Sequence, residues 1–187
     1  MRIIGGKYRS RILQEFAGQD VRPTSDRAKE SLFNILALKM HGARVLDLFA
    51  GSGALGLESL SRGAKEVVFN DFSKDSLAIV KKNLSALKIA LNGEEAKVQN
   101  SDYLVCLEQA RGKFDMIFID PPYRFDYGEK ALKKIAERGL LTENGIAVYE
   151  RDRPFEGEIE GLEKYDERKY GKTYITFFRT IKEQSKD

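Results

Sequence analysis

An acid, two prolines and an aromatic, Asp120-Pro121-Pro122-Tyr123, close the run Phe114-Asp115-Met116-Ile117-Phe118-Ile119. Apart from Asp115 that run is apolar, as expected of a strand buried on both sheet faces. Neither proline donates a backbone hydrogen bond, and each biases its predecessor to an extended conformation, so the strand must stop abruptly. A carboxylate, free carbonyls and a ring then stand at a strand's carboxyl end, where ligands bind in open α/β sheets. The same four residues would equally serve as a strand cap and rigid turn.

The second stretch is Gly51-Ser52-Gly53-Ala54-Leu55-Gly56, which follows the apolar run Arg44-Val45-Leu46-Asp47-Leu48-Phe49. Asp71 stands 20 residues past Gly51, at the end of the next expected strand. Strand, G-x-G-x-x-G, helix and a later acid make the dinucleotide fingerprint, with the acid accepting from ribose hydroxyls. A nicotinamide-dependent oxidoreductase fits it. So does any adenosine ligand, because the ribose poses the same problem. Three features favour S-adenosylmethionine. Asp47, inside the first strand's end, suits a sulfonium or ammonium better than a pyrophosphate. Asp102 places an acceptor where an adenine amino group could lie. The chain also leaves no length for a second domain to hold a hydride acceptor. The expected cofactor surface is therefore Asp47, Phe49, Ala50, Gly51, Ser52, Gly53, Asp71, Phe72, Asp102 and Tyr103, and the expected catalytic corner is Asp120, Pro121, Pro122 and Tyr123.

The elements that must hold these residues can be read from hydrophobic periodicity. Arg2-Ile3-Ile4 and Ser10 to Leu13 flank a glycine-containing turn, which predicts a hairpin. Pro23 and a cap from Thr24, Ser25 or Asp26 predict a helix with Ala28, Leu32, Ile35 and Leu36 on one face. Strands are expected at 44–49, 66–69, 96–99, 114–119 and 145–149. The intervening helices run over Leu57–Arg62, from a Ser73 cap through Leu77, Val80, Leu84 and Leu87, from Asp102 to near Gly112, and through Ala131 to Ile135. Leu162–Tyr170 and Thr173–Thr180 surround Gly171-Lys172, which suits a type II′ hairpin. The fold class is α/β: a doubly wound, mostly parallel sheet with an antiparallel C-terminal hairpin, plus the N-terminal β-hairpin. One domain is expected over 1–187, with 1–20 as a basic hairpin extension and 21–187 as the catalytic core.

The whole chain nets +3, yet residues 1–11 hold Arg2, Lys7, Arg9 and Arg11 with no acid, so the remainder is slightly acidic. A basic arm on a balanced body is a footprint for nucleic-acid backbone, or else a solvated tail. Arg22, Arg27 and Lys29 are candidates for the same surface. One cysteine, Cys106, and one histidine, His41, make a metal site unexpected, and Cys106 reads as a core residue. No leader peptide or membrane-length apolar run is seen, so a cytoplasmic protein without membrane contact is expected.

Taken together, Met1-Arg2-Ile3-Ile4-Gly5-Gly6-Lys7-Tyr8-Arg9, Arg22-Pro23-Thr24-Ser25-Asp26-Arg27 with Glu30 and Leu32-Phe33-Asn34, Asp47 to Glu58, and Asp120-Pro121-Pro122-Tyr123 resemble the RsmD family of small-subunit ribosomal RNA guanine-N2 methyltransferases. Asp71 departs from the family's usual Glu, and Ser10 from its usual Gly. The resemblance implies a seven-stranded methyltransferase sheet, S-adenosylmethionine as donor, and one guanine amino group of 16S rRNA (guanine 966) as acceptor. It also implies a small-subunit ribonucleoprotein particle as partner and a monomeric enzyme. Asp120 and Pro121 would then receive the amino hydrogens, Tyr123 would stack on the base, and Arg2, Lys7, Arg9, Arg11, Arg22, Arg27 and Lys29 would meet phosphates. A DNA adenine or cytosine methyltransferase, a nicotinamide oxidoreductase and a non-enzymatic RNA-binding protein are the competing readings.

Overall fold

A computed structural model describes residues 1–16, 26–122 and 126–181. Arg22, the proposed entry caps Thr24 and Ser25, and Tyr123 lie outside the described residues. The elements run α1 (Asp26–Ile35), α2 (Ala37–Met40), β1 (Arg44–Asp47), α3 (Ala54–Ser61), β2 (Glu66–Asp71), α4 (Lys74–Ala86), β3 (Ala96–Asn100), α5 (Tyr103–Gln109), β4 (Phe114–Ile119), α6 (Tyr127–Glu137), β5 (Leu141–Arg151), β6 (Leu162–Tyr170) and β7 (Thr173–Thr180). They form a seven-stranded sheet in the order β3-β2-β1-β4-β5-β7-β6. β1 to β5 pair in parallel, while β7 runs antiparallel to both β5 and β6.

Side chains alternate across this sheet, as the pleat requires. Val45, Val67, Phe69, Met116, Phe118, Ile146 and Val148 pack on one face with α1 to α4. Leu46, Val68, Ile117, Ile119, Ala147 and Tyr149 pack on the other with α5 and α6. Both faces are covered, which is why β4 reads as an almost continuous apolar run. The exception, Asp115, sits where β4 enters the sheet. Its two oxygens accept the Arg44 N–H and the Thr142 hydroxyl, both at 2.9 Å, so it ties the starts of β1 and β5 to β4.

Several boundaries differ from the sequence reading, each for a local reason. α3 begins at Ala54, not Leu57, because Gly53 adopts a left-handed φ of 84° and acts as the N-cap, so the glycine loop turns into helix at once. β5 spans Leu141–Arg151, longer than expected, because it pairs with β4 on one side and β7 on the other. The short α2 was not anticipated. Ser73 does cap α4, accepting from the Ser76 N–H. At the β6–β7 turn Gly171 takes a φ of 61° while Lys172 stays negative, as a type II′ turn demands. No helix among the described residues is long and apolar enough to cross a membrane.

The N-terminal hairpin forms, with an antiparallel bridge between Arg2 and Ile12. It is not a loose arm. The Ile4 and Gly5 N–H groups donate to the two oxygens of Glu58 on α3, at 2.8 and 2.9 Å. Lys7 N–H reaches the Ser61 carbonyl at 2.7 Å. Ser61 Oγ accepts from the Tyr8 N–H and donates to the Gly5 carbonyl. A β-carbon on Gly6 would lie 1.8 Å from the Ser61 oxygen, so only glycine lets the hairpin approach this closely.

Ser10 shows what the missing glycine costs. Its φ is 67°, a conformation that crowds any β-carbon. Its N–H still closes the hairpin on the Ile3 carbonyl at 2.8 Å. Ser10→Gly relieves the strain, offset in part by the greater freedom of glycine in the unfolded chain. The substitution is expected to raise stability by about 0.5–1 kcal/mol, read as a higher denaturation midpoint with an unchanged denaturant slope.

Candidate functional site

The sheet order places β1 between β2 and β4, so the strand order reverses at β1 and the crevice opens at the carboxyl ends of β1 and β4. Asp47 pairs in register with Phe118, and Ile119 with Tyr149. The next residues along, Asp120 just past β4 and Glu150 near the end of β5, therefore stand side by side. This one arrangement joins the two motifs that the sequence keeps far apart.

On the β1 side the loop is held by backbone and carboxylate together. Asp47 is buried, and its Oδ2 accepts the Gly56 N–H at 2.9 Å. Asp71 accepts the Gly51 N–H on one oxygen at 2.9 Å and the Ser73 N–H on the other at 2.8 Å. The shorter Asp thus closes the glycine loop directly. Each of its oxygens retains a lone pair for a ribose hydroxyl. Gly51 has a φ of 54°, and a β-carbon there would meet nothing within 4 Å, so the backbone faces open space. Gly56 plays the opposite part: a β-carbon would sit 2.2 Å from the Phe69 ring, so the third glycine sets how tightly α3 lies on β2. The Ala50 N–H donates to the Asn70 carbonyl at 2.8 Å.

The β2 and β3 ends complete this half. Phe72 is 79% exposed, an apolar ring presented to solvent beside the loop. Asp102 is exposed and caps α5, accepting the Leu104 N–H on Oδ1 at 2.8 Å. Tyr103 is buried between rings, 5.2 Å from Phe49 and 5.1 Å from Tyr127. Asn70 and Ser101, which the sequence did not single out, lock the strand ends. Asn70 Nδ2 donates to the Leu48 carbonyl at 3.0 Å, and Ser101 Oγ donates to Asn70 Oδ1 at 2.9 Å. A lone Asn beside an acid carries no sequence signal; its role exists only because β1, β2 and β3 end together.

Across the crevice Pro121 is buried and Pro122 exposed. Burial, and then the charges of Glu150 and Asp47, hold the Asp120 carboxyl well above the ordinary carboxylate range. Asp47 is pushed up to about 7 by burial; the Gly56 N–H opposes the shift and the nearby Asp71 adds to it. Glu150, buried on β5, was another residue the sequence reading missed. A site that crowds carboxylates this way favours a cation.

The proposed RNA surface divides. Lys7, Arg9, Arg11 and Arg27 are exposed, and Lys7 lies over the Tyr8 ring at 5.0 Å. Arg2 is exposed but pairs with Asp26 at 3.0 Å. Lys29 is a correction: it is fully buried, donates to the Arg2 carbonyl at 2.5 Å and lies 3.9 Å from Glu58. A helix-face count places a lysine on the solvated side, but here the docked hairpin covers it. Lys29 therefore anchors the hairpin and does not meet phosphate.

A family profile described as Conserved hypothetical protein 95 matches residues 1–179. The chain is 41% identical, over 158 residues, to the Ribosomal RNA small subunit methyltransferase D of Haemophilus influenzae, covering 82% of this chain and 81% of that protein. It is 37% identical over 152 residues to the Escherichia coli protein of the same name, covering 81% and 75% respectively. A solved Escherichia coli structure, provisionally named a methyltransferase, matches with a TM-score of 0.85 at 33% identity, over 96% of this chain and 97% of that one.

The raised Asp47 gives a signed expectation. On folding, its pKa moves from the ordinary carboxylate range up to about 7. The unfolded chain therefore loses this proton first, and the ligand-free protein loses stability as pH rises from about 4 to 7. A bound cation reverses the balance and expels the proton. Calorimetric titration of S-adenosylmethionine near pH 6, in buffers of different ionisation enthalpy, should show proton release that shrinks above pH 8 and is reduced in Asp47→Asn. Equal proton release from both proteins would remove Asp47 from this role.

Proposed function

Because the chain belongs to the Conserved hypothetical protein 95 family, the family of the RsmD enzymes, we propose that it methylates the exocyclic N2 of one guanine in 16S rRNA. Methyl transfer to ribosomal RNA is the activity its relatives share by name, and S-adenosylmethionine is the donor that activity requires. The single observation that supports the finer reading is the adjacency of Asp120-Pro121 to the Asp47 end of β1, across the point where the strand order reverses.

The residues present suit that donor. Asp71 meets the ribose, the open backbone at Gly51 admits the ligand, exposed Phe72 supplies apolar surface for adenine, and Asp102 offers an acceptor. Tyr103, packed between Phe49 and Tyr127, steadies the α5 start. Asp47 balances positive charge. When bound, the cofactor supplies an electrophilic methyl group on a sulfonium.

Guanine N2 is a poor nucleophile because its lone pair is delocalised into the ring. The corner's task is to hold that nitrogen pyramidal and in line. Asp120 and the Pro121 carbonyl accept its two hydrogens and stabilise positive charge as it develops. Asp120 need not be strongly basic, since the methylated nitrogen is very acidic and gives up its surplus proton readily. We assign Tyr123 to stacking on the extruded base, worth about 1–3 kcal/mol. Lys7, Arg9, Arg11 and Arg27 line the surface that meets RNA phosphates, with the assembling small subunit as the particle engaged.

Labelled methyl transfer to immature small subunits, followed by nucleoside analysis, tests the reading directly. N2-methylguanosine is the expected product; a methylated adenine or cytosine would overturn it. Titration should show binding of S-adenosylhomocysteine and none of NAD.

Asp120→Ala should keep cofactor affinity nearly intact and lose about 10²–10³ in single-turnover rate at saturating RNA. A wild-type rate there would make the corner structural. Changing Lys7, Arg9 and Arg11 to Gln should weaken RNA binding and flatten its logarithmic salt dependence by up to about one unit per cation. An unchanged slope would leave the hairpin cations merely solvated.

A further inference from the structure

Asn83 lies in the last turn of α4, where it is buried along with Leu77, Val80 and Leu84. It is 1% exposed, so its amide must find every partner within the protein. Its Oδ1 accepts the Gln14 N–H at 2.8 Å. Its Nδ2 donates to the Gln14 carbonyl at 3.2 Å and to the Ser52 carbonyl at 3.0 Å. One N–H donor and two carbonyl acceptors fix the amide's orientation, since the flipped form would face a donor with a donor.

Those partners belong to two different ligand-facing parts. Gln14 follows directly on Leu13, whose N–H pairs with the Met1 carbonyl at 3.0 Å and closes the N-terminal hairpin. Ser52 sits inside the glycine loop, between Gly51 and Gly53. The hairpin's second anchor, Glu58 and Ser61, is on α3, which starts at that same loop. Gln14 alone satisfies the oxygen and one amide hydrogen, and the second hydrogen goes to the loop. Asn83 thus divides the two hydrogens of a single nitrogen between hairpin and loop. Displacing either partner leaves buried polar groups unmatched, so the two parts hold position together.

We propose that Asn83 is a positioning residue that couples the hairpin to the cofactor loop, so that cofactor and RNA bind with positive cooperativity. This rests on the reading that the loop takes S-adenosylmethionine and the hairpin meets RNA. Ordering the Ser52 carbonyl fixes the amide, which fixes Gln14 and the hairpin's outgoing strand. The coupling runs equally in reverse, as linkage requires.

The test measures the affinity of S-adenosylhomocysteine by calorimetry and of immature small-subunit particles by filter binding, each with and without the other at fixed salt. In the unaltered protein each ligand should tighten the other by about 5- to 10-fold, the low end of typical coupling. Asn83→Asp keeps the acceptor for Gln14 but faces two carbonyls with an anion, and should reduce the factor below about twofold while both ligands still bind separately. Gln14→Pro removes the N–H from the hairpin side and makes no substitution in α4 or the loop. It should give the same loss, and it decides the matter if Asn83→Asp fails to fold. A purely structural asparagine would alter the separate affinities and leave the factor intact. Absence of coupling in the unaltered protein, or undiminished coupling in the variants, overturns the proposal. Failure of that protein to bind either ligand alone would instead strike the functional reading on which the proposal stands.

Discussion

Three carboxylates stand at the carboxyl ends of three adjacent strands, Asp47 and Glu150 buried and Asp120 half-buried between them. Such a group cannot be fully ionised without positive charge beside it, and the raised pKa values of Asp47 and Asp120 express that conflict. The rest of the crevice follows from it. The loop must bring backbone N–H groups inward, which Gly56 does toward Asp47 and Gly51 toward Asp71. A positive charge beside these carboxylates would complete a site whose protein groups alone leave it strained. Local stability is given up where the chemistry needs a field, a pattern common to catalytic centres.

A second polar cluster, on the covered side of α3, solves the opposite problem. Glu58 is fully buried, yet its carboxylate receives the Ile4 and Gly5 N–H groups and lies 2.7 Å from Arg62 Nε. Lys29, buried beside it, has its pKa lowered by desolvation, with Glu58 acting against the shift. Arg62 also stacks over the Phe33 ring at 5.2 Å and crowds Gly5, where a β-carbon would approach its guanidinium to 2.8 Å. Ile3 and Leu13 bury the hairpin's apolar side in the core, but hydrophobic contact is non-directional and does not fix its register on α3. Charge-assisted hydrogen bonds to a helix that begins at the cofactor loop give it a defined position.

These two clusters share α3, and that sharing gives the sheet's end its functional logic. Gly53 starts the helix, Gly56 sets its distance from β2, and Glu58 and Ser61 receive the hairpin within the next turns. Aromatic contacts from Phe49 through Tyr103 to Tyr127 bridge the other flank, from the loop to the start of α6. The crevice is thus bounded by rigid elements on both sides, as precise positioning of a ligand requires.

The amino-acid sequence by itself determined the parallel strands, the glycine loop, the acid at the end of β2 and the Asp-Pro-Pro corner. Each is written in a local pattern: apolar runs, glycine spacing, prolines that cannot continue a strand. The family resemblance marked Ser10 as a departure from a usual glycine, which the left-handed φ explains. Only the tertiary structure decided that Lys29 is buried, because helical periodicity cannot reveal that a hairpin covers one face. The same holds for Asn70, Asn83, Glu58 and Glu150. A polar side chain becomes a lock, a bridge or a member of a charge cluster through partners brought near by strand order, and strand order is a property of the folded sheet rather than of any segment of the chain.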